Sequence, residues 1–431
     1  MKFHLNDSIT FIKKNINTVL LSAYYLFIIM LFFSFFYSIS NTTNNYSYSN
    51  LDETYINEET ANVGTFITDS NEDINTKLLS YLNDYFSTRN ESFLTGSVES
   101  LYKFYDLSHS YSRYSLNHEF KRISYLRDWG IERGITFESI TSTPYIKSTE
   151  IINNIIKLKV DETFNVSYFY TDNPTVKNSF AITLLHTEEL QKIGNGFSIQ
   201  KDYFFDSFEN GLKKYNFNLT EKQLPTRSYK TYEINFNRDN LDFKENKKYN
   251  RLSATTYADK YSGVLNNNSN STCYNDYYFD ASSLSYGGNS TNFVSQCLGD
   301  NKTGGYLKQD NTWFYNSKDR NSHKVSEAWL NPKDLKDYLT YSAKGSLIKN
   351  GDFKTLVTIK PNESSTFSKL QIGDLIFYTK GEYPIYSAII TAFDSNGYPL
   401  VNSNTVNRFH VPFDLGWTDD DITFQLINII Q

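Results

Sequence analysis

Residues 286–298 read Tyr286-Gly287-Gly288-Asn289-Ser290-Thr291-Asn292-Phe293-Val294-Ser295-Gln296-Cys297-Leu298. Two glycines precede a polar segment, and an apolar stretch follows it. Ser is among the residues that best cap a helix, a contribution of about 1 kcal/mol to the helix that it starts. The stretch therefore predicts a helix that begins near Ser290.

The same stretch resembles the nucleophile segment of the bacterial putative amidase domain family, a papain-like group. In that family the segment reads Gly-Gly-Asp-Cys-Thr-Asn-Phe-Val-Ser-Gln, with the cysteine at the start of a helix. Here Asn289 and Ser290 stand where the family has Asp and Cys. The resemblance implies a hydrolase scaffold that has lost the thiol of the hydrolase.

The resemblance extends over residues 248–431 through an ordered set of shorter segments. They are residues 249–251, 257–261, 304–305, 313, 326–329, 331–332, 372–378, 385–390 and 400–405. Asn331 and Pro332 predict the N-cap and first position of a helix, and the last three segments predict strands. The resemblance implies a papain-like (NlpC/P60-like) α+β domain of the amidase type.

A papain-like site needs a thiolate at a helix N-terminus, a histidine beside it and a polar residue that orients the histidine. The family carries its histidine in an Asp-His-Ser strand segment, where this chain has Tyr386. The third position falls at Asn404, which could orient an imidazole. Because a Tyr hydroxyl of pKa about 10 is a poor base and an unactivated Ser is a weak nucleophile, the resemblance implies that Ser290, Tyr386 and Asn404 form an inactive site.

Two other interpretations of this region stay open. In the first, Ser290 is the nucleophile of an active amide or peptide hydrolase, with His410 or His323 as its base. In the second, Ser290 only caps its helix. Three polar residues near it are candidates for ligand binding or for hydrogen bonds that hold the fold, namely Asn289, Asn292 and Gln296. The sequence predicts no cofactor and no metal ligand.

Residues 72–204 predict a separate α+β domain. Apolar residues recur at helical spacing up to Trp129, and apolar and polar residues then alternate with a period of two from Ile156 to Tyr203. With residues 87–89, 119 and 122, this order resembles the NTF2-like (cystatin-type) domain that often precedes the amidase domain. No cluster of acid, base or metal-binding residues is recognisable, so the sequence favours a spacer or dimerisation unit, with His186 as a core histidine.

The N-terminus predicts a membrane anchor. No charged residue occurs between Lys14 and Asp52, and residues 18–38 are apolar enough to span a bilayer. Lysines before this segment predict a cytoplasmic N-terminus at residues 1–17, and a flexible stalk at residues 39–71 would follow outside the cell. A cleaved signal peptide is the alternative.

Residues 205–247 predict a linker with one short strand at residues 232–236. The formal net charge of −6 argues against nucleic-acid binding. Cys273 and Cys297 would be free to form a disulfide outside the membrane, or are two separate residues. The expected partners are the membrane, peptidoglycan or cell-wall peptides, and a protein of an envelope assembly. The sequence therefore predicts a binding or scaffolding pseudoenzyme, with an active hydrolase or a purely structural assembly partner as alternatives.

Overall fold

The computed structural model describes residues 71–225, 227, 231–236, 248–264, 273–283, 288–316, 325–417 and 421–430. The predicted cytoplasmic segment and membrane helix, and all but the last residue of the predicted stalk, lie outside these ranges, so they stay predictions. Within the described ranges, no helix combines the length and the apolar character needed to cross a membrane. The described chain has a mixed α+β fold around a large antiparallel sheet, in agreement with the predicted class.

Two long helices open the described chain, α1 (Asn71–Thr95) and α2 (Ser110–Glu132), with a 3-10 helix (Glu99–Phe104) between them. Most of the apolar residues that predicted them are buried, because residues three and four apart lie on one helix face; the exceptions are Leu79, which is exposed, and Ile74, which is half-buried. Helix α2 ends before Gly134, whose φ of +65° is the left-handed conformation that glycine adopts most easily. The predicted helical periodicity is confirmed here.

Four strands follow: β1 (Ile135–Ile152), β2 (Ile155–Tyr170), β3 (Asn173–Ile193) and β4 (Gly196–Tyr203). The alternating pattern predicted β2, β3 and β4 but not β1. Strand β1 lies at the edge of the sheet and is mostly exposed, so its sequence shows no regular apolar alternation. It contains Pro144, which an edge strand tolerates because it needs fewer backbone donors.

Within the predicted linker, the structure forms one short helix, α3 (Glu209–Leu212), and several buried side chains, among them Phe208 and Phe236. The predicted strand at residues 232–236 is wrong. Tyr232 N donates to Glu132 O at 2.7 Å, whereas Phe236 N donates to Asn396 O at 2.9 Å. The two bonds reach different parts of the molecule, so no strand ladder forms.

Within the described residues after Lys248, the elements are five helices, a 3-10 helix (Thr366–Lys369) and six strands. The helices are α4 (Arg251–Lys260), α5 (Ser290–Gly299), α6 (Glu327–Leu330), α7 (Pro332–Tyr341) and α8 (Phe353–Val357). The strands are β5 (Gly345–Gly351), β6 (Leu375–Lys380), β7 (Tyr383–Phe393), β8 (Pro399–Ser403), β9 (Asn407–Pro412) and β10 (Thr423–Ile429). The Asn331 side chain accepts from Lys333 N at 3.0 Å, which confirms the predicted cap of α7.

One sheet runs through both halves of the described chain, in the order β1-β2-β3-β9-β8-β7-β6-β10-β5, and β4 pairs with β3. The junction is β3, which pairs with β4 through residues 187–193 and with β9 through residues 181–183. All of these pairs are antiparallel. The sheet therefore connects the segment predicted as NTF2-like directly to the segment predicted as amidase-like.

Strand β7 is buried on both faces. Tyr386, Ala388 and Ile390 belong to the core that covers one face of the sheet, whereas Ile389 belongs to the core formed with helices α4, α5 and α7. Burial on both faces explains why this strand reads as a nearly continuous apolar run. Since successive side chains point to opposite faces, Ser387 shares the helix-covered face with Ile389.

Candidate functional site

The segment that resembles the nucleophile motif forms helix α5, and every residue of this helix is buried. Asn289 occupies the N-cap position and Ser290 is the first helical residue, with no side-chain cap bond. The interpretation of Ser290 as the helix cap is therefore wrong, because its hydroxyl turns to the neighbouring strand. Phe293, Val294 and Cys297 anchor the helix in the core that lies on the sheet.

The Ser290 hydroxyl is closed in by strand β7. Its Oγ accepts from Ser387 N at 3.4 Å, and the next residue, Thr291, pairs its Oγ1 with Ser387 Oγ at 3.0 Å. The Ser290 side chain is fully buried. Within the described residues, the hydrogen-bond partner of the Ser290 hydroxyl is thus a backbone amide, which is not a base at neutral pH.

Tyr386 lies on the other face of β7 from Ser387. Its hydroxyl pairs with Ser403 Oγ at 2.7 Å and donates to Asn404 O at 3.3 Å. The Tyr386 ring packs at 5.4 Å from the rings of both Tyr378 and Trp417, and the residue is only 7% exposed. Burial raises the pKa of the Tyr386 hydroxyl, so even less of this group than of an exposed tyrosine is ionised and able to take up a proton at neutral pH.

Asn404 stands at the turn that faces the start of α5. The following residue, Thr405, has φ of +108°, and its methyl carbon lies 2.5 Å from where a Cβ on Gly288 would be. Only glycine fits at position 288, which also has φ of +63°. The structure thus brings together the segments of Ser290, Tyr386 and Asn404, although the Tyr386 and Ser290 hydroxyls bind different partners.

The three predicted ligand-binding side chains are buried and bonded within the protein. Asn289 Oδ1 accepts from Asn292 Nδ2 at 2.8 Å, and Asn292 Oδ1 accepts from Trp329 Nε1 at 2.9 Å. Gln296 Oε1 accepts from Tyr257 OH at 3.0 Å. These bonds match the interpretation that the side chains hold the fold, while ligand binding by them stays a prediction.

His410, one of the two suggested bases, is engaged away from Ser290. Its Nε2 lies 3.0 Å from Asp259 Oδ1, and Asn402 Nδ2 donates to the same oxygen at 2.8 Å. Asn402 Oδ1 in turn accepts from His410 N at 2.8 Å, which closes a ring of three residues. His323, the other suggested base, lies outside the described residues.

Sequence reasoning missed this ring. Asp259 belongs to a segment already noted for the family resemblance, and Asn402 and His410 flank the turn at Asn404.

Both cysteines are free thiols. Burial raises the pKa of Cys297 well above its usual value, so this thiol is a poor nucleophile.

A second group of functional side chains lies between the N-terminal helices and the sheet. The prediction that residues 72–204 hold no cluster of acids, bases or metal-binding residues is wrong. The buried members are Arg89, Glu119, Arg122, Glu162, His186, Glu188, Asp202 and Asp206. They come from two helices, from strands β2, β3 and β4 and from the segment after β4, so no local pattern in the sequence groups them.

Glu162 is central to this cluster. It accepts from Arg89 Nη1 at 3.1 Å and lies 3.1 Å from His186 Nε2. Although burial opposes its charge, the Arg89 guanidinium and the His186 ring hold the pKa of Glu162 well below its usual range. Burial also disfavours a charged His186, yet Asp202 and Glu162 outweigh it and raise the pKa of His186 to about 10.

Residues 248–427 match the family model described as "Putative amidase domain", so a domain of this family is present in the chain. No curated protein matches the sequence. The crystal structure of the intermembrane space region of chloroplast protein ARC6 aligns with 12% identity over 33% of this chain and 98% of that one. Its TM-score is 0.21, a likeness that carries no inference about fold or function.

Proposed function

We propose that this protein is a membrane-anchored, extracytoplasmic pseudoenzyme that acts as a binding or scaffolding module at the cell envelope. Its amidase domain is catalytically degenerate, and an NTF2-like domain precedes it. One observation carries the proposal: Ser290, which the resemblance aligns with the family's cysteine, is fully buried, and within the described residues its hydroxyl bonds a backbone amide and no base. The charge-free segment before Asp52 supports the anchor.

Amide hydrolysis by a hydroxyl requires a base that removes its proton and access for the substrate carbonyl. Ser290 has neither in the described part of the chain. None of the four histidines there, at positions 109, 118, 186 and 410, has a hydrogen bond to Ser290. The Tyr386 side chain at the family's histidine position bonds Ser403 and Asn404 instead.

The burial of these positions also bears on how the domain would bind a partner. A pocket that recognises a peptide would need an accessible Tyr386 or Ser290. The ring of Tyr386 packs against Trp417, and the hydroxyl of Ser290 is covered by strand β7. This favours recognition through the outer surface over recognition in the former catalytic position.

One exposed surface suits such contacts. Tyr111 and Tyr114 on α2 are 67% and 66% exposed, and Tyr203 and Phe205 at the end of β4 are 43% and 39% exposed. The last two rings lie 6.3 Å apart. Exposed aromatic side chains that lie close together are typical of protein contact sites, because they bury much area at little entropic cost.

The catalytic part of the proposal is tested with purified full-length protein in detergent, incubated with peptidoglycan peptides and model amides. We expect no turnover from the wild type, and the same baseline from Ser290→Ala. Steady turnover that Ser290→Ala abolishes would favour the alternative, an active hydrolase that uses Ser290. Turnover that instead depends on His410 would place the chemistry at the Asp259 ring.

The scaffolding part is tested in cells with a photo-crosslinking residue at position 114, and the same residue at Tyr341 as the control. Tyr341 is 87% exposed but lies on α7, far along the chain from the aromatic surface. We expect a discrete crosslinked species only from position 114. Equal crosslinking from both positions, or none from either, would argue against this surface.

Topology is tested by protease treatment of intact wall-less cells, which should digest the part of the protein after residue 40. Complete protection of the protein would contradict an extracytoplasmic location. Release of a soluble form that lacks the first 40 residues would identify a cleaved signal peptide instead.

A further inference from the structure

Three buried side chains on neighbouring strands bring potential metal-binding atoms together. His186 and Glu188 are two residues apart on β3, so they share one face of the sheet. Asp202 on β4 is the direct cross-strand partner of Glu188. One ligand atom from each side chain lies within 4.8 Å of the other two.

Glu188 is the unusual member of this group. Its side chain is fully buried, and neither carboxylate oxygen has a hydrogen-bond partner within the described residues. Burying a carboxylate without a donor or a counter-ion costs several kcal/mol. The native protein must therefore supply a positive group there, either a proton or a bound cation.

The hydrogen bonds of His186 also require a proton or a metal ion at this site. Its Nε2 faces Glu162 Oε2 at 3.1 Å, and a carboxylate requires a donor at that nitrogen. In the neutral ring, Nδ1 would then carry a lone pair that faces Asp202 Oδ1 at 2.9 Å. Two acceptors at that distance repel each other unless a proton or a metal ion lies between them.

One divalent cation would neutralise Glu188 and would also separate His186 Nδ1 from Asp202 Oδ1. Without a metal ion, the protein needs one proton at Nδ1 and another on Glu188. We propose that His186, Glu188 and Asp202 bind one divalent transition-metal ion of the Zn²⁺ or Mn²⁺ class. Two atoms that bind one ion at about 2.1 Å lie about 3.4 Å apart in a tetrahedral site and about 3 Å apart at the right angle of an octahedral site. The separation of 2.9 Å between His186 Nδ1 and Asp202 Oδ1 fits the octahedral arrangement.

The charges around the site favour this occupant. Arg89 is paired with Glu162, and Arg122 donates to both oxygens of Glu119 at 2.9 and 3.0 Å. Each of these pairs is neutral as a whole, and the remaining carboxylate of the cluster, Asp206, pairs with His118 at 2.9 Å. The carboxylates of the proposed site then carry two negative charges beside a neutral imidazole, and one divalent ion balances them.

The donor set and its surroundings also match known preferences. One imidazole and two carboxylates suit Zn²⁺ and Mn²⁺, in contrast to the all-oxygen sets of Ca²⁺ and Mg²⁺. Metal-binding histidines usually donate their second N–H to a carboxylate, which orients the ring. Glu162 stands in that place, and Arg89 holds Glu162.

The proposal is tested on full-length protein stripped with EDTA and then dialysed against buffer that contains Zn²⁺ or Mn²⁺. Elemental analysis should find close to one ion per chain. The melting temperature should rise by on the order of 5 °C at a metal concentration about 100-fold above Kd. Co²⁺ in place of the native ion should give a visible absorption band, which a proton cannot give.

Glu188→Gln should keep the fold, because it removes an unpartnered buried charge, and should abolish the metal-dependent rise in melting temperature. The matched control is Asp161→Asn, a buried aspartate of β2 that pairs with Lys147 at 3.1 Å. This control should retain the rise. If wild-type protein binds neither ion, two protons occupy the site and the proposal fails; it fails equally if Glu188→Gln still responds to the metal.

Discussion

The guanidinium of Arg133 donates its Nε–H to Asp414 Oδ2 at 2.9 Å, across 281 positions of the chain. The same carboxylate oxygen accepts from Trp129 Nε1 at 3.0 Å, and Tyr398 donates to its other oxygen. Asp414 is fully buried. Helix α2 and the segment after β9 are therefore joined by a desolvated ion pair as well as by the sheet.

We expect Asp414→Asn to reduce the free energy of unfolding by about 3–5 kcal/mol, because it removes the fully buried counter-ion of Arg133 and leaves that guanidinium only the less buried Glu132, at 3.2 Å. Urea denaturation measures this change. The matched control is Asp421→Asn, since Asp421 is an exposed aspartate whose nearest cations are Lys380 at 3.5 Å and Lys213 at 3.9 Å. The control should change stability by less than about 0.5 kcal/mol. A similar loss of unfolding free energy in both variants would mean that the buried Arg133–Asp414 pair stabilises the fold no more than an exposed ion pair does.

We expect Tyr386 to contribute to the stability of the fold. Tyr386→Ala is expected to cost about 3–5 kcal/mol because it leaves a cavity beside Tyr378 and Trp417. Tyr386→Phe removes only the hydroxyl and should cost about 1 kcal/mol. Tyr383→Ala, at a position on the same strand that is 66% exposed, serves as the control and should be close to neutral. Calorimetry or urea denaturation gives the ranking, and an unaffected Tyr386→Ala protein would contradict its burial.

The burial of position 290 is tested with a cysteine placed there. In a Cys273→Ser background, Ser290→Cys should resist iodoacetamide in the native protein and react only in urea, because position 290 is fully buried. Ser283→Cys, at an exposed turn, is the control and should react within minutes. Mass spectrometry of the intact protein counts the labels. Fast native labelling at position 290 would reveal an open cleft and would weaken the pseudoenzyme proposal.

His118 should make stability depend on pH. Its Nε2 lies 2.9 Å from Asp206 Oδ2; although burial opposes the charge, this carboxylate raises the pKa of His118 above its usual 6.5. Glu119 adds to the rise and Arg122 opposes it. The folded state thus keeps a proton that the unfolded state has already lost. Stability from this pair is complete below pH 6.5 and declines as the pH rises through the folded-state pKa.

His118→Gln should reduce this decline, and the raised pKa of His186 leaves a remainder in both proteins. We expect urea midpoints measured from pH 6 to pH 9 to fall for the wild type and to change less for the variant. The ring of Tyr114, which stacks on His118 at 6.4 Å, does not titrate in this range. Parallel curves for the two proteins would show that His118 does not carry the dependence.

Some features were predictable from the sequence because their causes are local. The period of the apolar residues predicted α1, α2 and three strands, and Asn331 with Pro332 predicted the start of α7. The ordered motifs after residue 248 predicted the amidase domain. Strand β1 was not predicted, because an exposed edge strand lacks the alternation of apolar and polar residues that marks a half-buried strand.

The site was predictable in part. The resemblance assigned Ser290, Tyr386 and Asn404 to the family's site, and this assignment stays a prediction; the structure confirms only that their three segments lie together. The contacts that each of these side chains makes could not be predicted from the sequence. That depends on the side of β7 to which Tyr386 points and on the turn that packs against Gly288.

The sequence by itself determined the helices, most strands and the amidase domain at residues 248–427. Only the tertiary structure decided that β3 pairs with β9, that Asp414 neutralises Arg133, and that His186 meets Glu188 and Asp202 in a buried cluster. The physical reason is sequence separation. Helix caps and side-chain periods depend on residues within a few positions of each other, whereas burial and charge pairing depend on which distant segments the folded sheet brings together.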